Sequence, residues 1–465
     1  MAQLGLKYRF DLDKPHEERQ KRQMNRKHDI IHGLLATFSL CFLSISIAYA
    51  QEKLTLKEAI SIALQNNYDI KLIKNEVEVT KNNNNLGNAG MLPSLSGDFS
   101  TGGSKQNSVQ TQASGNERKI DGARNSNMAY GIGLNWTVFD GFSMFANHDR
   151  LKALQQQGEK NADAQILNTI TEVLAAYYNV AKQQQLVIAA DSTIDISAFR
   201  LRIADSKLKI GRGSKLDLLA AQVDYNTDTS NYLQQKNLLH NYLVALNKLL
   251  ARDANIKFSV ENNFEIDADL NYTTLASQVE QLNPALQSAI LTKKIAELNL
   301  KQVQGNRYPQ VSVNSGYNFN RSESPTGFNT KFRAHGFNYG LTASINIFNG
   351  FLQRQNERNA KLNINSAALQ IDQTKQNLAA QLITAYQDYS TFIELAKLEQ
   401  GNIKIANQNL DITLEKYRLG NITPLELREA QKNAINANNR YLEIKYQGKL
   451  AEVYLKQISG TLTLQ

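Results

Sequence analysis

The sequence predicts a mixed α+β membrane protein in which a pair of β-strands and a set of long helices occur twice. Three observations lead to this prediction. Motifs from the first half of the chain recur in the second half at a nearly constant spacing. Four segments alternate apolar and polar residues, as half-buried strands do. Two stretches of about 70 residues lack proline and repeat apolar residues at helical spacing.

The duplication is clearest in motifs that contain glycine. Gly141 and Gly350 each lie in a Phe-Asx-Gly-Phe motif and are 209 positions apart (350 minus 141). Gly211 and Gly420 are also 209 positions apart (420 minus 211). Upstream, an offset of 216 relates Asn67 and Pro93 to Asn283 and Pro309. The change of offset means that the first strand pair, with its loop, is seven residues longer than the second (216 minus 209). The predicted repeats are residues 51–282 and 283–465.

The N-terminal region has the features of a secretory signal peptide. A basic stretch precedes the one long apolar run, which ends in an Ala-Tyr-Ala cleavage sequence at Ala50. We therefore predict that residues 1–50 are removed, with Met24 as an alternative start and an uncleaved membrane anchor as the alternative interpretation. Cys41, the only cysteine, lies in this segment, so the mature chain is predicted to lack thiols.

The strand pairs are predicted from period-two alternation. We predict strands over 94–101, 130–139, 310–319 and 338–348. Each has about ten residues, the length of a tilted transmembrane strand. The intervening stretches 102–128 and 320–337 are rich in Gly, Ser and Asn, and are predicted to be long exposed loops. The alternative interpretation is a pair of soluble hairpins with one solvated face.

Aromatic residues lie towards the ends of these strands, as in the interfacial girdle of a membrane protein. The girdle candidates are Tyr130, Trp136, Phe139, Tyr339 and Phe348. As single aromatic residues they could equally belong to an ordinary core.

Most of the remaining sequence is predicted to be helical. Helices over 142–210 and 351–419 would each be about 100 Å long and would need partners along their length. Shorter helices are predicted at 214–251, 424–459, 67–92 and 283–308, the last two ended by Pro93 and Pro309. Two shorter helices together match one long helix in length. We therefore predict that they stack end to end beside it, with residues 52–66 and 252–282 at the joint.

Four strands cannot close a barrel, and an open sheet edge is not tolerated in lipid. Membrane strands from several copies must therefore be pooled. Two copies give eight strands and a lumen filled by side chains, whereas three give twelve and leave a water-filled lumen. If the strands cross a membrane, the sequence favours a trimeric 12-stranded β-barrel.

The composition argues against several other functions. The net charge is +9, but the basic residues are scattered, which argues against nucleic acid as a partner. The six histidines show no metal-ligand spacing. No catalytic motif or phosphate-binding loop stands out, so we expect no enzyme activity and no cofactor.

Taken together, the motifs resemble those of the TolC-type outer-membrane efflux proteins. The matching residues are the opening Leu54-Thr55-Leu56-Lys57-Glu58-Ala59-Ile60, Asn66-Asn67, Pro93, Pro309, the Phe-Asx-Gly-Phe junctions at Gly141 and Gly350, and the turns at Gly211 and Gly420. The resemblance implies a homotrimer in the outer membrane whose helices form an antiparallel coiled-coil tunnel across the periplasm. It also implies a passive exit duct that works with a periplasmic adaptor and an inner-membrane transporter.

The resemblance also assigns roles at the two helical turns, 207–217 and 416–429. The turn residues Lys207, Gly211, Lys416 and Gly420 would dock the adaptor, although the glycines could simply end helices. Glu426 and Glu429 would line the periplasmic entrance; otherwise they form an ordinary solvated helix face.

Asp217 and Tyr417 match positions that help to hold the entrance shut. The arginine that the family places beside them is replaced here by Ile422. Arg418 or Arg428 could take over its role. Two other functions stay open: the outer-membrane channel of a type I protein secretion system and, more remotely, a trimeric coiled-coil adhesin.

Overall fold

The computed structural model describes residues 52–327 and 329–462. The predicted signal peptide, with Met24 and Cys41, lies outside the described residues. In chain order the elements are β1 (Glu52–Leu54), α1 (Leu56–Asn66), α2 (Tyr68–Asn83), β2 (Ser94–Thr111), β3 (Glu117–Asp140), α3 (Ser143–Lys209), α4 (Lys215–Leu249), β4 (Phe258–Val260), α5 (Tyr272–Leu282), α6 (Pro284–Gly305), β5 (Gln310–Glu323), β6 (Lys331–Ser344), α7 (Leu352–Arg418) and α8 (Pro424–Ile458).

The chain divides into two compact units. In its described part, the smaller unit contains β1 and residues 257–259, which include most of its partner strand β4. Among the described residues, the larger unit contains the helices and a four-stranded sheet.

The long helices are confirmed. Helices α3 and α7 have 67 residues each, or about 100 Å. Each is followed, after a tight turn, by a helix of 35 residues, α4 or α8. Within the described ranges, no helix combines the length and hydropathy needed to cross a membrane.

The two shorter helices of each half meet at an asparagine. Asn67 caps the start of α2, and its side-chain amide donates to the carbonyl of Leu249 at the end of α4 (2.8 Å). Asn283 caps α6 in the same way and donates to the carbonyl of Ile458 at the end of α8 (2.8 Å). Helix α3 packs against both α2 and α4, and α7 packs against both α6 and α8. The predicted pairing of one long helix with two stacked shorter helices is therefore confirmed.

The helix predicted over 67–92 is wrong at its C-terminal end, because α2 already stops at Asn83. A run of asparagines at 82–85 explains the difference. Asn85 donates from its side chain to the carbonyl of Asn82 (2.7 Å) and accepts from the backbone N–H of Asn88 (2.8 Å). Such local bonds compete with the helical ladder.

The four predicted strands form one antiparallel sheet in the order β2-β3-β5-β6. The loop prediction for 102–128 and 320–337 is wrong, because most of these residues continue the strands and only 112–116 and 324–330 connect them. Conversely, β6 ends at Ser344 rather than at residue 348. Its partner β5 begins at Gln310, after Pro309, which has no backbone N–H to continue the ladder.

The register gives the sheet one apolar and one polar face, because directly opposed residues point to the same side. Successive apolar rows are Phe99–Tyr130–Phe319–His335, Gly97–Ile132–Tyr317–Phe337, Leu95–Leu134–Ser315–Tyr339 and Trp136–Val313–Leu341. The other face carries Ser96, Asp98, Gly131, Gly133, Asn314, Asn318, Asn338 and Gly340. We refer to these as the apolar face and the polar face.

The C-terminal ends of α4 and α8 differ at one backbone position. After α4, Ala251 adopts a left-handed conformation (φ 50°), whereas Gly460 occupies the corresponding place after α8 (φ 70°). A Cβ at residue 460 would also lie 2.9 Å from the carbonyl oxygen of Leu282.

We predict that Ala251→Gly raises the free energy of unfolding by about 1 kcal/mol, because it relieves the left-handed strain of a side-chain-bearing residue. Gly460→Ala should lower it by more than about 1 kcal/mol, since it adds a steric clash to the same strain. Thermal melting of the purified protein, followed by circular dichroism at the helical minimum, measures both changes. Shifts in the same direction for the two substitutions would contradict the assignment.

Candidate functional site

The two helical turns at the far ends of α3 and α7 have the same backbone structure. After α3, Gly211 is left-handed (φ 73°) and the N–H of Arg212 donates to the carbonyl of Lys207 (2.9 Å). After α7, Gly420 is left-handed (φ 77°) and the N–H of Asn421 donates to the carbonyl of Lys416 (2.9 Å). The repeated lysines and glycines therefore lie together in the reversals, where left-handed glycine closes the helix end.

Each turn is followed by a capping box, in which two of the predicted acids take part. Ser214 accepts from the N–H of Asp217 (3.0 Å), and the Asp217 carboxylate accepts from the N–H of Ser214 (3.4 Å). Thr423 and Glu426 repeat this arrangement in the second turn, where the Glu426 carboxylate accepts from the Thr423 N–H (2.7 Å) and hydroxyl (3.0 Å). The first role of both acids is thus to start a helix.

The environment of Glu426 keeps it charged and fixed in place. Hydrogen bonds from the backbone N–H and the hydroxyl of Thr423 lower the pKa of the Glu426 carboxyl below its ordinary value. Glu429 is exposed one turn further along α8 and makes no ion pair with any residue that the structure describes. The two carboxylates differ, therefore, in how free they are to face a permeating ion.

Tyr417 brings several predicted residues together. Its side chain is buried (3% exposed), and the Nζ atom of Lys207 lies 5.2 Å from the centre of its ring. Burial raises the pKa of the Tyr417 hydroxyl; the charge of Arg200 acts in the opposite direction and that of Asp217 adds to the rise. Lys207, Asp217 and Tyr417 thus form one neighbourhood within a single protomer, with Ile422 half-buried in the adjoining turn.

The two arginines considered as replacements at Ile422 have different surroundings. Arg418 pairs with Glu415 of its own helix (2.7 Å) and lies over the ring of Phe199 (5.0 Å). Arg428, in contrast, forms its ion pairs with a neighbouring helix. Its Nη1 and Nη2 atoms donate to the two carboxylate oxygens of Asp228 on α4 (2.8 and 3.1 Å).

Arg428 belongs to a charged cluster that the sequence analysis missed. The cluster consists of Arg200 on α3, Asp224 and Asp228 on α4, and Arg428 on α8. Arg200 pairs with Asp224 (2.8 Å), and Arg428 also approaches Asp224 (3.6 Å). Ser197 donates to Asp228. We call these four residues the four-charge cluster; it fastens α8 to α3 and α4 near the turns.

A sequence signal for this cluster did exist. Asp224 and Asp228 are spaced i, i+4 and so share one helix face. The pairing itself joins residues about 200 positions apart, such as Asp228 and Arg428, and no local pattern predicts that.

The Phe-Asx-Gly-Phe motifs form the junctions between sheet and long helix. In the first, Gly141 and Phe142 are both left-handed (φ 69° and 67°), and Asp140 accepts from the backbone N–H of Met144 (3.1 Å). Gly350, Phe351 and Asn349 repeat this geometry, with Asn349 accepting from the N–H of Gln353 (3.3 Å). The Asx residue therefore helps to cap the helix.

The five girdle candidates have distinct positions. Tyr130 stacks on Phe319 with ring centres 4.8 Å apart, and the indole N–H of Trp136 donates to the carbonyl of Met91 (3.0 Å). Phe139 and Phe348 make edge-on contacts with the rings of Phe142 (5.2 Å) and Phe351 (5.4 Å) at the two junctions. Tyr339 is 83% exposed on β6, two rows away from the Tyr130 row. Their role as a girdle stays a prediction.

Fold and site together define a class of protein. A sheet with one apolar face continues, through glycine junctions, into two antiparallel helical hairpins that reverse at tight glycine turns. The sequence model of the family described as "Outer membrane efflux protein" matches residues 59–252 and 275–461. The chain therefore belongs to this family, is an efflux protein of the TolC type and resides in the outer membrane of a Gram-negative cell.

Individual relatives are distant in sequence. The chain is 21% identical to the outer membrane protein TolC of Escherichia coli K12, over 64% of this chain and 62% of that protein. It is 22% identical to the cation efflux system protein CusC of E. coli O157:H7, over 87% of this chain and 85% of that protein. Among solved structures, the CmeC outer membrane channel of Campylobacter jejuni superposes with a TM-score of 0.70 at 20% identity, over 87% of this chain and 85% of that one.

We predict that Gly420→Ala lowers the free energy of unfolding by about 1 kcal/mol, because alanine at a left-handed position is strained even where space is free. Gly401→Ala is the matched control. Gly401 lies inside α7 with nothing near its Cβ position, so alanine there should stabilise the helix by about 0.5–1 kcal/mol. Opposite shifts in the melting temperature are expected, and a stabilising Gly420→Ala would contradict the turn geometry.

Proposed function

We propose that three copies of this chain form a 12-stranded β-barrel in the outer membrane and a helical tunnel that continues into the periplasm. The assembly serves as the passive exit duct of a tripartite efflux pump, fed by an inner-membrane transporter through a periplasmic adaptor. The observation that carries the proposal is the four-stranded sheet, whose apolar face extends across all four strands while its two outer strands each have only one neighbour.

The unsatisfied edges of β2 and β6 give the reason for assembly. Backbone N–H and C=O groups along a free edge cannot find water inside a bilayer, and each costs several kcal/mol. Closure with further copies of the sheet removes the edges. Between Tyr130 and Phe139, β3 spans about 30 Å along its axis, which at a tilt near 40° matches an apolar band of about 25 Å.

The turns are the proposed contact for the adaptor. Large apolar side chains there are exposed in the single chain, namely Ile210, Leu216, Leu419 and Leu425. An apolar group of this kind at the end of a helical hairpin is typical of a surface that a partner covers. The lysines and glycines at Lys207, Gly211, Lys416 and Gly420 lie beside it and would shape the docking surface.

Glu426 and Glu429 are the proposed entrance carboxylates. In a trimer each would contribute a ring of three negative charges, and such rings favour cations over anions. Glu429 is exposed and free of ion pairs among the described residues, so it is the stronger contributor. The Glu426 charge is partly offset by the helix N-terminus that it caps.

Planar-bilayer recording of the assembled protein tests the duct and the rings together. We expect discrete, cation-selective conductance steps, with the cation-to-anion permeability ratio reduced by about half in Glu429→Gln and further in Glu426→Gln/Glu429→Gln. Glutamine removes the charge but keeps an acceptor for the capping box. Asp217→Asn, the equivalent change in the first turn, is the comparison: it removes a capping acid and a predicted closing contact, but no predicted entrance carboxylate.

Each outcome of the recording bears on a separate part of the proposal. Absence of steps from a correctly inserted trimer, both in the natural protein and in Arg428→Gln/Asp228→Asn, which removes the proposed closing bond, would overturn the duct. Steps whose selectivity is the same in all variants would keep the duct and reject the carboxylate assignment. Equal loss of selectivity in Asp217→Asn would locate the relevant charge in the first turn.

We also propose that the four-charge cluster takes over the closing role of the arginine replaced by Ile422. Arg428 is the only one of the two candidate arginines that pairs with another helix in the described structure. A bidentate bond to a nearly buried Asp228 holds α8 against α4 close to the turn. Outward movement of α8, which would widen the entrance, requires this bond to break.

We predict that Arg428→Gln/Asp228→Asn increases the single-channel conductance and the open time. The double variant keeps neutral hydrogen-bonding groups at both positions. Arg428→Gln alone would leave a buried, unpaired carboxylate and cost about 3–5 kcal/mol of stability. Arg418→Gln, which removes a pair within α7 and the contact with the Phe199 ring but no ion pair between helices, should leave conductance unchanged. Unchanged conductance in the double variant would reject the cluster as a closing device.

A further inference from the structure

A band of basic residues lies on the sheet beyond the apolar rows, on the same face. The strand register continues past the row of Tyr130 and Phe319 towards the hairpin ends. There, Arg321 of β5 is directly opposite Arg333 of β6, and Lys105 of β2 is directly opposite Arg124 of β3. Because directly opposed residues share a face, all four belong to the apolar face rather than to the polar one.

At the level of these two basic pairs, the charges are confined to that face. At the same level, the polar face carries the uncharged residues Gly102, Ser104, Gln106, Ala123, Asn125, Asn127, Asn320, Ser322, Phe332 and Ala334. A hairpin that is merely solvated has no reason to place its charges on one side. The segregation therefore indicates that the two faces meet different surroundings.

The arrangement costs stability as it stands, because like charges directly opposite each other across a sheet repel. Arg321 is compensated by Glu323 (2.8 Å), which Lys331 also approaches (3.9 Å). In the part of the chain that the structure describes, Lys105, Arg124 and Arg333 form no ion pair. Glu323 is thus the only acid that pairs with these basic residues in the described part of the chain. The unpaired positive charge leaves a site for external anions.

The depth of Arg321 and Arg333 matches a lipid headgroup layer, and Lys105 and Arg124 lie further out. Arg321 follows Phe319 by two residues, and Arg333 precedes His335 by two, about 7 Å along each strand. Lys105 and Arg124 lie six residues beyond Phe99 and Tyr130, about 20 Å along the strands and about 15 Å along the normal of a tilted barrel. The polar layer outside the hydrocarbon core begins directly beyond an aromatic row.

We propose that this basic band binds the phosphate groups of anionic lipids in the outer leaflet of the outer membrane. The inference rests on the proposed membrane crossing by the sheet, with the hairpins on the outer side. Arg321 and Arg333 form the inner phosphate site at the edge of the hydrocarbon layer. Lys105 and Arg124 form the outer site, within reach of the larger head group of a phosphorylated glycolipid. Bound phosphate also removes the repulsion within each pair.

Native mass spectrometry of the assembled, full-length protein in neutral detergent tests the proposal, with diphosphoryl lipid A as the probe and phosphatidylcholine as the net-neutral comparison. We expect retention of lipid A but little of phosphatidylcholine. Arg321→Gln/Arg333→Gln should lower the apparent affinity for lipid A by roughly tenfold, and Lys105→Gln/Arg124→Gln by a smaller factor. The matched control is Arg118→Gln, since Arg118 lies at a hairpin end, opposite Gln110, on the polar face.

Melting temperatures give a second readout, which loss of fold would not reproduce. In detergent alone, Arg321→Gln/Arg333→Gln should melt at the same temperature as the natural protein or higher, because the repulsion is gone. With lipid A present, the natural protein should melt higher than the variant.

Several results would overturn the inference. One is equal retention of lipid A by the natural protein and the double variants. Another is an equal loss of lipid A affinity in Arg118→Gln. A third is displacement of lipid A by inorganic phosphate at the same phosphate concentration, which would indicate a site for free phosphate. Bilayer recording of the same preparations separates this inference from the duct. Normal conductance without a lipid preference rejects only the basic band, whereas failure of the protein to insert into the bilayer rejects the membrane crossing on which it rests.

Discussion

The asparagine joints at Asn67 and Asn283 are the interaction on which the rest of the architecture depends. A helix of 67 residues is stable in water only if its apolar face is covered along the whole length. No single neighbour in this chain is that long, so two shorter helices must cover it from opposite ends. Each asparagine caps the start of one short helix and bonds the last turn of the other. This makes two separate helices into one continuous partner.

The joints also give the molecule its polarity. Because the shorter helices meet part-way along α3 and α7, the sheet lies at one end of each long helix and the glycine turn at the other. The two ends therefore differ in the surfaces that they expose. The sheet end carries an apolar face with basic residues beyond it, suited to a membrane, whereas the turn end carries exposed leucines and carboxylates, suited to a partner and to ions. Transport from one end to the other follows from this separation.

Near the turns, the same helices are held together by buried charges as well as by apolar packing. The apolar stripe that holds α3, α4 and α8 together is interrupted by Arg200, Asp228 and Arg428, although apolar residues would hold the helices at least as firmly. A charged contact is strong only while its geometry is intact, and once it separates, water can solvate both partners. Such a contact suits a joint that must be firm in one state and open in another. The sheet junctions, in contrast, rely on aromatic packing and fixed backbone geometry.

The sequence by itself determined the features that depend on short-range chemistry. Helix length, the reversal glycines Gly211 and Gly420, and the alternation in the strands are set by local preferences within a few residues, and the structure agrees with them. The errors of extent in α2 and in the hairpins have local causes as well, as has the early end of β6, which lies opposite Pro309. The asparagine run that begins at Asn82 ends α2 early. The polar hairpin residues continue as strands because a backbone ladder does not require apolar side chains.

Only the tertiary structure decided which distant residues meet. It brought Asn67 and Asn283 to the ends of distant helices, aligned four strands so that their apolar residues form a single face, and paired Arg428, rather than Arg418, with an acid on a second helix. It also placed Arg321 opposite Arg333. The physical reason is that each of these contacts joins residues on different helices or strands. Register and helix packing fix such contacts through the fit of whole surfaces, which no local sequence pattern specifies.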